Sequence, residues 1–271
     1  VKRYRHYTKD KVILLSCFGS VVEQSIYEKL LRETEKRFEG IDVFLSFSSK
    51  MVLKDLKRKG LNYPNLPQRL ADLDYLGYRN IIVASINLFP TDEHELLIRT
   101  VKGFKEFSYS NIRYTKAIIN RTRETTIFLK ELNSRVTKKD IANLYIVHGV
   151  PLLDLAGVLS VNYTKELLEL LGERNYLCSL EGSLPFYAVK ESLIDRMRKA
   201  NIKKIQIIPM LLVSGNHYIK DILDIKEELG RFFETSVVES LSESKRFNLL
   251  ELDGIRDIIF SNIEEEIIKL G

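Results

Sequence analysis

Short apolar runs alternate with stretches of helical periodicity along the whole chain, and the alternation is played through twice. "KVILLSCF" (11–18) reads as a buried strand, and 20–38 carries apolar residues at helical spacing. "DVFLSF" (42–47) is a strand, followed by helices over 48–58 and 67–76, the second closed by Gly77. "NIIVASINLF" (80–89) is a strand, and a long helical stretch follows Thr91. "TKAIIN" (115–120) is the next apolar segment, before a helix over 121–133. The second round has strands at 143–149, 175–182, 203–213 and 236–240, with helices over 161–172, 186–200 and 253–270. Strand and helix in alternation, without hairpin signals, require parallel sheets joined by right-handed crossovers. The expected fold class is α/β: two similar lobes, each a parallel sheet flanked by helices, with a cleft between them.

The two rounds overlay at offsets of about 124 to 133 residues, as counted along the sequence. Ile81 falls on Ile205, Asp92 on Asn216 and Glu93 on His217. At the first strand of each half, Phe18 falls on His148 and Gly19 on Gly149; in the middle, Ser48 falls on Glu181. A seam in the charged stretch 135–140 gives an N-terminal lobe over 1–138 and a C-terminal lobe over 139–271. The last helix is expected to pack back on the first lobe.

Polar residues at the carboxyl ends of parallel strands line the ligand crevice of such sheets. In the second half these are His148 after "NLYIV", Glu181 after "YLCSL" and His217 after "MLLVSGN". Each alone suits a turn or loop. Together they place two of the four histidines and a carboxylate at equivalent strand ends of one half. That donor set suits a divalent first-row metal with positions left open for a substrate. Glu93 is the matching acid of the first half, and also a residue whose charge suits the first turn of a helix. Asp221, four residues past His217, is placed to orient that imidazole. His6 and His94 read as incidental.

Other chemistries find little support. No GxGxxG or phosphate-loop sequence follows the first strands, and no Gly-x-Ser-x-Gly elbow occurs. The two cysteines, Cys17 and Cys178, form no CxxC pair; a buried strand position and a reducing compartment are expected. The net charge of +5 is dispersed among interleaved acids, which argues against a nucleic-acid groove. Solvated helix faces explain the basic clusters, with a basic rim for a polyanionic small molecule as the alternative. No apolar stretch is long enough to span a membrane, and the basic-then-apolar start reads as a first strand, not a signal peptide. A cytoplasmic protein is expected.

With these residues in view, the chain resembles the anaerobic cobalt chelatases, the sirohydrochlorin cobaltochelatases of the class II chelatases. The resemblance spans nearly the whole chain. It is carried by "ILLSCFGS", "DVFLSFSSKMVLKDLKRKG", "LGYRNIIVASINLFPTDEHELL", "IVHG", "SLEGSLP" and above all "KKIQIIPMLLVSGNHYIKDI". It implies a tetrapyrrole held between two α/β lobes, and a metal site of His148, Glu181 and His217. His148, His217 and Glu93 are implied as the catalytic residues. The implied reaction is insertion of a divalent metal, Co2+ first with Fe2+ and Ni2+ as alternatives, into sirohydrochlorin on the way to cobalamin. The metal is substrate, and no tightly bound cofactor is expected. Basic residues such as Lys50 or Arg79 would meet the acetate and propionate groups. The chain departs from the family pattern in lacking a second His after "HGVPLLDLAG", and in carrying Asn216 and Asn87 where the family often has Asp and His. Two alternatives stand beside this reading: an iron-inserting chelatase of the sirohaem or haem branch, and a non-catalytic tetrapyrrole or metal carrier. No nucleic-acid or membrane partner is expected, and a homo-oligomer is left open.

Overall fold

The computed structural model describes residues 5–215, 218–242 and 244–270, without the side chains of Tyr218 and Ile219. His217 and Asn216 lie outside the described residues. The chain divides into two compact units: residues 1–118 with 256–271, and residues 119–255.

The first unit is built on β1 (Lys9–Cys17), β2 (Asp42–Phe47), β3 (Tyr78–Ile86) and β4 (Asn111–Tyr114). They form one parallel sheet in the order β2-β1-β3-β4. β1 is central, and Val12, Ile13, Leu14 and Leu15 are all fully buried, so both faces of the strand are covered. This is why the strand reads as a continuous apolar run rather than an alternating one. Val12 and Leu14 pack with Ile81 and Val83 of β3 against α3 (Leu66–Tyr75) and α4 (Asp92–Lys105). α3 opens with a capping box, in which the Asn65 side chain accepts from Gln68 N and Gln68 Oε1 accepts from Asn65 N, both at 3.0 Å. α1 (Gln24–Arg37) and α2 (Lys50–Arg58) fill the remaining crossovers. From Arg256 on, α9 (Asp253–Ile268) packs in this unit. Arg256 pairs with Glu33 at 3.1 Å and Arg113 with Glu266 at 2.7 Å, and Phe260 meets Phe38 edge-on.

The fourth strand lies earlier than the apolar pattern indicates. β4 is Asn111–Tyr114, while in "TKAIIN" Thr115, Ala117, Ile118 and Ile119 are buried outside any strand. Thr115 N still donates to Val83 O at 3.0 Å, but the next bond to the β3 side is Ile118 N to Asn87 O at 2.9 Å. The burial that makes the segment look like a strand comes from packing, not from pairing.

The second unit repeats the plan. β5 (Ile141–Val147), β6 (Asn175–Ser179), β7 (Lys204–Met210) and β8 (Glu234–Val237) form a parallel sheet in the order β6-β5-β7-β8. α6 (Ala156–Leu171), α7 (Phe186–Lys199) and α8 (Leu223–Gly230) make the crossovers. α5 (Thr122–Val136) belongs to this unit, so the division falls earlier than at residue 138. A buried amide network explains this. Asn133 Oδ1 on α5 accepts from Tyr145 OH and from Asn175 Nδ2, both at 2.8 Å, and Gln206 Nε2 donates to Val136 O at 3.0 Å. These bonds tie α5 to β5, β6 and β7. Among the described residues no helix is long and apolar enough to cross a membrane.

Candidate metal centre

The site is built where β5 and β6 end. Their pairing runs past the ladder: Leu180 N donates to Val147 O at 2.9 Å, Glu181 N to His148 O at 3.0 Å and Ser183 N to Val150 O at 3.0 Å. The two loops therefore travel in backbone contact, and glycine makes this contact sterically feasible. Gly149 has φ +106°, and a Cβ there would lie 1.7 Å from Glu181 O. Gly182 has φ +68°, and a Cβ there would lie 2.4 Å from Val150 O. Only glycine fits either position.

This contact sets His148 beside Glu181. His148 Nδ1 is 3.5 Å from Glu181 Oε1. Two donors each about 2.1 Å from one tetrahedral ion stand about 3.4 Å apart, so the separation suits a shared ion as well as it suits a direct ion pair. Both side chains are open, 41% and 68% exposed, as a site that takes up and hands over an ion requires and a closed structural site does not. Among the described residues no group of three or more metal-binding side chains forms, and the third expected ligand, His217, lies outside them.

Residues 11–267 match the family model described as cobalt chelatase (CbiK). The chain belongs to the cobalt chelatase family. It is 20% identical over 220 residues to the sirohydrochlorin cobaltochelatase of Salmonella typhimurium, covering 78% of this chain and 79% of that one. Two solved structures share its fold. One is SirB from Bacillus subtilis with Fe3+, with a TM-score of 0.65 at 16% identity over 96% of both chains. The other is the sirohydrochlorin chelatase SirB from Bacillus subtilis subspecies spizizenii in complex with cobalt, with a TM-score of 0.61 at 15% identity over 96% and 95%. As a member of this family the chain is a metal-inserting chelatase, with a tetrapyrrole and a metal ion as its substrates.

The backbone register of this cobalt chelatase family member corrects one of the expected equivalences. Ser48 N donates to Cys17 O just as Leu180 N donates to Val147 O, and Ser49 N donates to Phe18 O just as Glu181 N donates to His148 O. The first-unit counterpart of Glu181 is therefore Ser49, not Ser48. Ser49 serves a helix instead of a metal, since its side chain caps α2 by accepting from Val52 N at 3.3 Å. Phe18 does stand where His148 stands, and Gly19 repeats the positive φ of Gly149 at +97°.

Glu93 belongs to the first unit, in the first turn of α4 with Asp92 and Glu95. Its Oε2 is buried without a hydrogen-bond partner among the described residues. A polar atom buried in this way is costly unless it gains a partner. Arg79 is at the wrong end to meet substrate carboxylates on the strand-end side. It sits at the start of β3 and donates from Nε to Tyr7 O at 2.6 Å. Lys50 opens α2 and is exposed. Cys17 and Cys178 are buried free thiols whose pKa burial drives far up, so neither acts as a nucleophile.

His94, incidental by sequence position, is held firmly in the fold. It is 5% exposed, and its Nδ1 lies 2.8 Å from Ser85 Oγ at the end of β3. Asn87 Nδ2 donates to the same Oγ at 2.9 Å, so the serine hydroxyl joins the imidazole and the amide in one buried cluster. This bond latches the first turn of α4, and with it the backbone of Glu93, to the sheet. Burial lowers the His94 pKa below its ordinary 6.5, against an opposing pull from Glu95. The unfolded chain then binds the proton more readily, so the stabilisation present above about pH 6.5 is lost as pH falls toward the folded value. Each unit of lowering is worth about 1.4 kcal/mol. Denaturant unfolding at several pH values should show wild type losing more stability below pH 6.5 than His94→Gln; parallel curves would contradict this.

Proposed function

We propose that this chelatase inserts Co2+ into sirohydrochlorin in anaerobic cobalamin biosynthesis. The observation that carries the reading is the His148–Glu181 pair, 3.5 Å apart at the open ends of β5 and β6, in a chain of the cobalt chelatase family. The name of the Salmonella relative supports sirohydrochlorin and cobalt. Insertion exchanges two pyrrole N–H protons for one divalent ion. His148, Glu181 and His217 hold the incoming ion with positions open for the ring nitrogens, and the glutamate offsets part of its charge. As the ion leaves for the ring, the neutral imidazoles are the groups able to accept protons near neutral pH. Metal binding and proton acceptance both need deprotonated imidazoles, so insertion slows in acid.

Glu93 is assigned to proton removal or metal approach, because its buried Oε2 has no hydrogen-bond partner among the described residues. Glu93→Gln is expected to slow insertion about 100-fold or more while leaving Co2+ affinity unchanged. An unaltered rate would remove Glu93 from the mechanism.

A second reading has an observation in its favour. One of the structural neighbours was solved with Fe3+, the other with cobalt. Anaerobic metallation of sirohydrochlorin, followed by absorbance with Co2+, Fe2+ and Ni2+ side by side, separates the readings. Cobalt is expected to be inserted fastest. Faster insertion of Fe2+ would assign the chain to the sirohaem or haem branch. A spectral shift on binding with no metallation by any ion would make it a carrier.

A further inference from the structure

Glu181 stands near the middle of a short loop, 179–184, that one serine closes on itself. Ser179 ends β6 and pairs with Val147 of β5. It also reaches forward along its own chain. Its N donates to Leu184 O at 3.0 Å, and its Oγ donates to Ser183 O at 2.5 Å. An isolated parallel bridge joins it to Pro185, the residue before α7. Ser179 is fully buried, so these bonds are shielded from water.

The backbone of this loop is under constraint. Gly182 has φ +68° and Leu184 has φ +57°. The left-handed region suits glycine, but a leucine there is strained, and it persists where its surroundings over-determine it. Two of the bonds that do so, to Ser183 O and Leu184 O, come from Ser179. Ser183 N in turn donates to Val150 O on the loop that carries His148. The Ser183 hydroxyl takes no part, since its Oγ is buried without a hydrogen-bond partner among the described residues. Of the two serines in the loop, Ser179 fastens it through its side chain and Ser183 does not.

The Glu181 side chain is 68% exposed, so little packing fixes it, and its place 3.5 Å from His148 Nδ1 is set by the backbone beneath it. A ligand on a loop is only as good as the placement of that loop, because site geometry tolerates displacements of only about 0.5 Å. We propose that Ser179 is a positioning residue of the metal site. Its hydroxyl, by closing the loop onto Ser183 O, holds Glu181 where it shares an ion with His148. This rests on the reading of Glu181 as a ligand, and the test separates the two claims.

Co2+ alone is titrated into the full chain by calorimetry for wild type, Ser179→Ala, Glu181→Ala, the double variant and Ser183→Ala. Ser179→Ala is expected to weaken Co2+ binding about 10-fold. On the Glu181→Ala background it should weaken binding no further, which a general loosening of the fold would not produce. Ser183→Ala should bind as wild type does. Equal losses from Ser179→Ala in both backgrounds, unchanged affinity, or a matching loss in Ser183→Ala would overturn the proposal. Hydrogen exchange on the metal-free chain gives a second readout. The amides of Glu181 and Ser183 should exchange faster in Ser179→Ala than in wild type, and equal rates would overturn the proposal. If Ser179→Ala fails to fold, Ser179→Cys, close in volume but a weaker donor, is read through the same cycle. It should give a smaller loss, again confined to the background with Glu181; wild-type affinity would overturn the proposal. Wild-type Co2+ affinity in Glu181→Ala overturns the ligand reading itself, whatever Ser179→Ala shows, and the proposal falls with it.

Discussion

Replacing His217 by alanine is expected to abolish insertion of cobalt into sirohydrochlorin while leaving the protein folded. The loss comes from two sources. On the proposed mechanism one of three metal donors would disappear, and so would one of the two imidazoles proposed to take a pyrrole proton. Removal of a positioned general base alone typically costs about 100- to 10,000-fold in rate. The fold is expected to survive because residues 211–215 are anchored by backbone and buried side-chain bonds to residues 247–250. The assay is anaerobic metallation followed by absorbance, with circular dichroism and thermal unfolding as the control for folding. Insertion at the wild-type rate would remove His217 from the site.

Gly149→Ala is expected to be the most damaging small change in the second unit. The residue holds φ +106°, which alone costs a side-chain-bearing residue about 1–3 kcal/mol. The added Cβ would also overlap Glu181 O at 1.7 Å, and neither partner is a flexible side-chain tip that could swing away. The two loops must separate, and the pairing of Glu181 N with His148 O is lost. A separation of even an ångström breaks the His148–Glu181 spacing on which a shared ion depends. Gly60→Ala isolates the backbone-conformation part: Gly60 has φ +78° but nothing within 4 Å of its Cβ position. Gly60→Ala should lose a few kcal/mol at most and keep its activity. Gly149→Ala should lose more stability than that, together with Co2+ binding. Equal destabilisation of the two variants by urea unfolding, with insertion retained in both, would contradict the account of the loop contact.

Much of this was legible in the residue order, for physical reasons. β1, β3, β5 and β7 are covered on both faces, so they are written as unbroken apolar runs that stand out from the helical stretches around them. The duplication shows because the order of strands and helices repeats and the first strand of each half is followed by a glycine, Gly19 and Gly149. His148 and Glu181 were visible because parallel sheets place strand-end residues on one side. What stayed hidden depends on register and on distant contacts. Ser49 rather than Ser48 answers to Glu181 because the alignment of the two halves slips by one residue where the strands end, and only the hydrogen-bond ladder reveals it. His94 reads as a helix-start residue until tertiary packing buries it on Ser85. α5 precedes the second sheet in sequence but belongs with it, through an amide network spread over 73 residues, from Asn133 to Gln206. Asn248 bonds to a residue 34 positions away, and nothing in its own neighbourhood marks it.

The central claim is that His148, Glu181 and His217 hold one ion between them. X-ray absorption at the cobalt edge, on the protein loaded with one equivalent of Co2+, tests it most directly. Two imidazole nitrogens per cobalt are expected in the wild type, falling to one in His148→Ala and to one in His217→Ala. A cobalt shell without imidazole, or one unchanged in either variant, would contradict it.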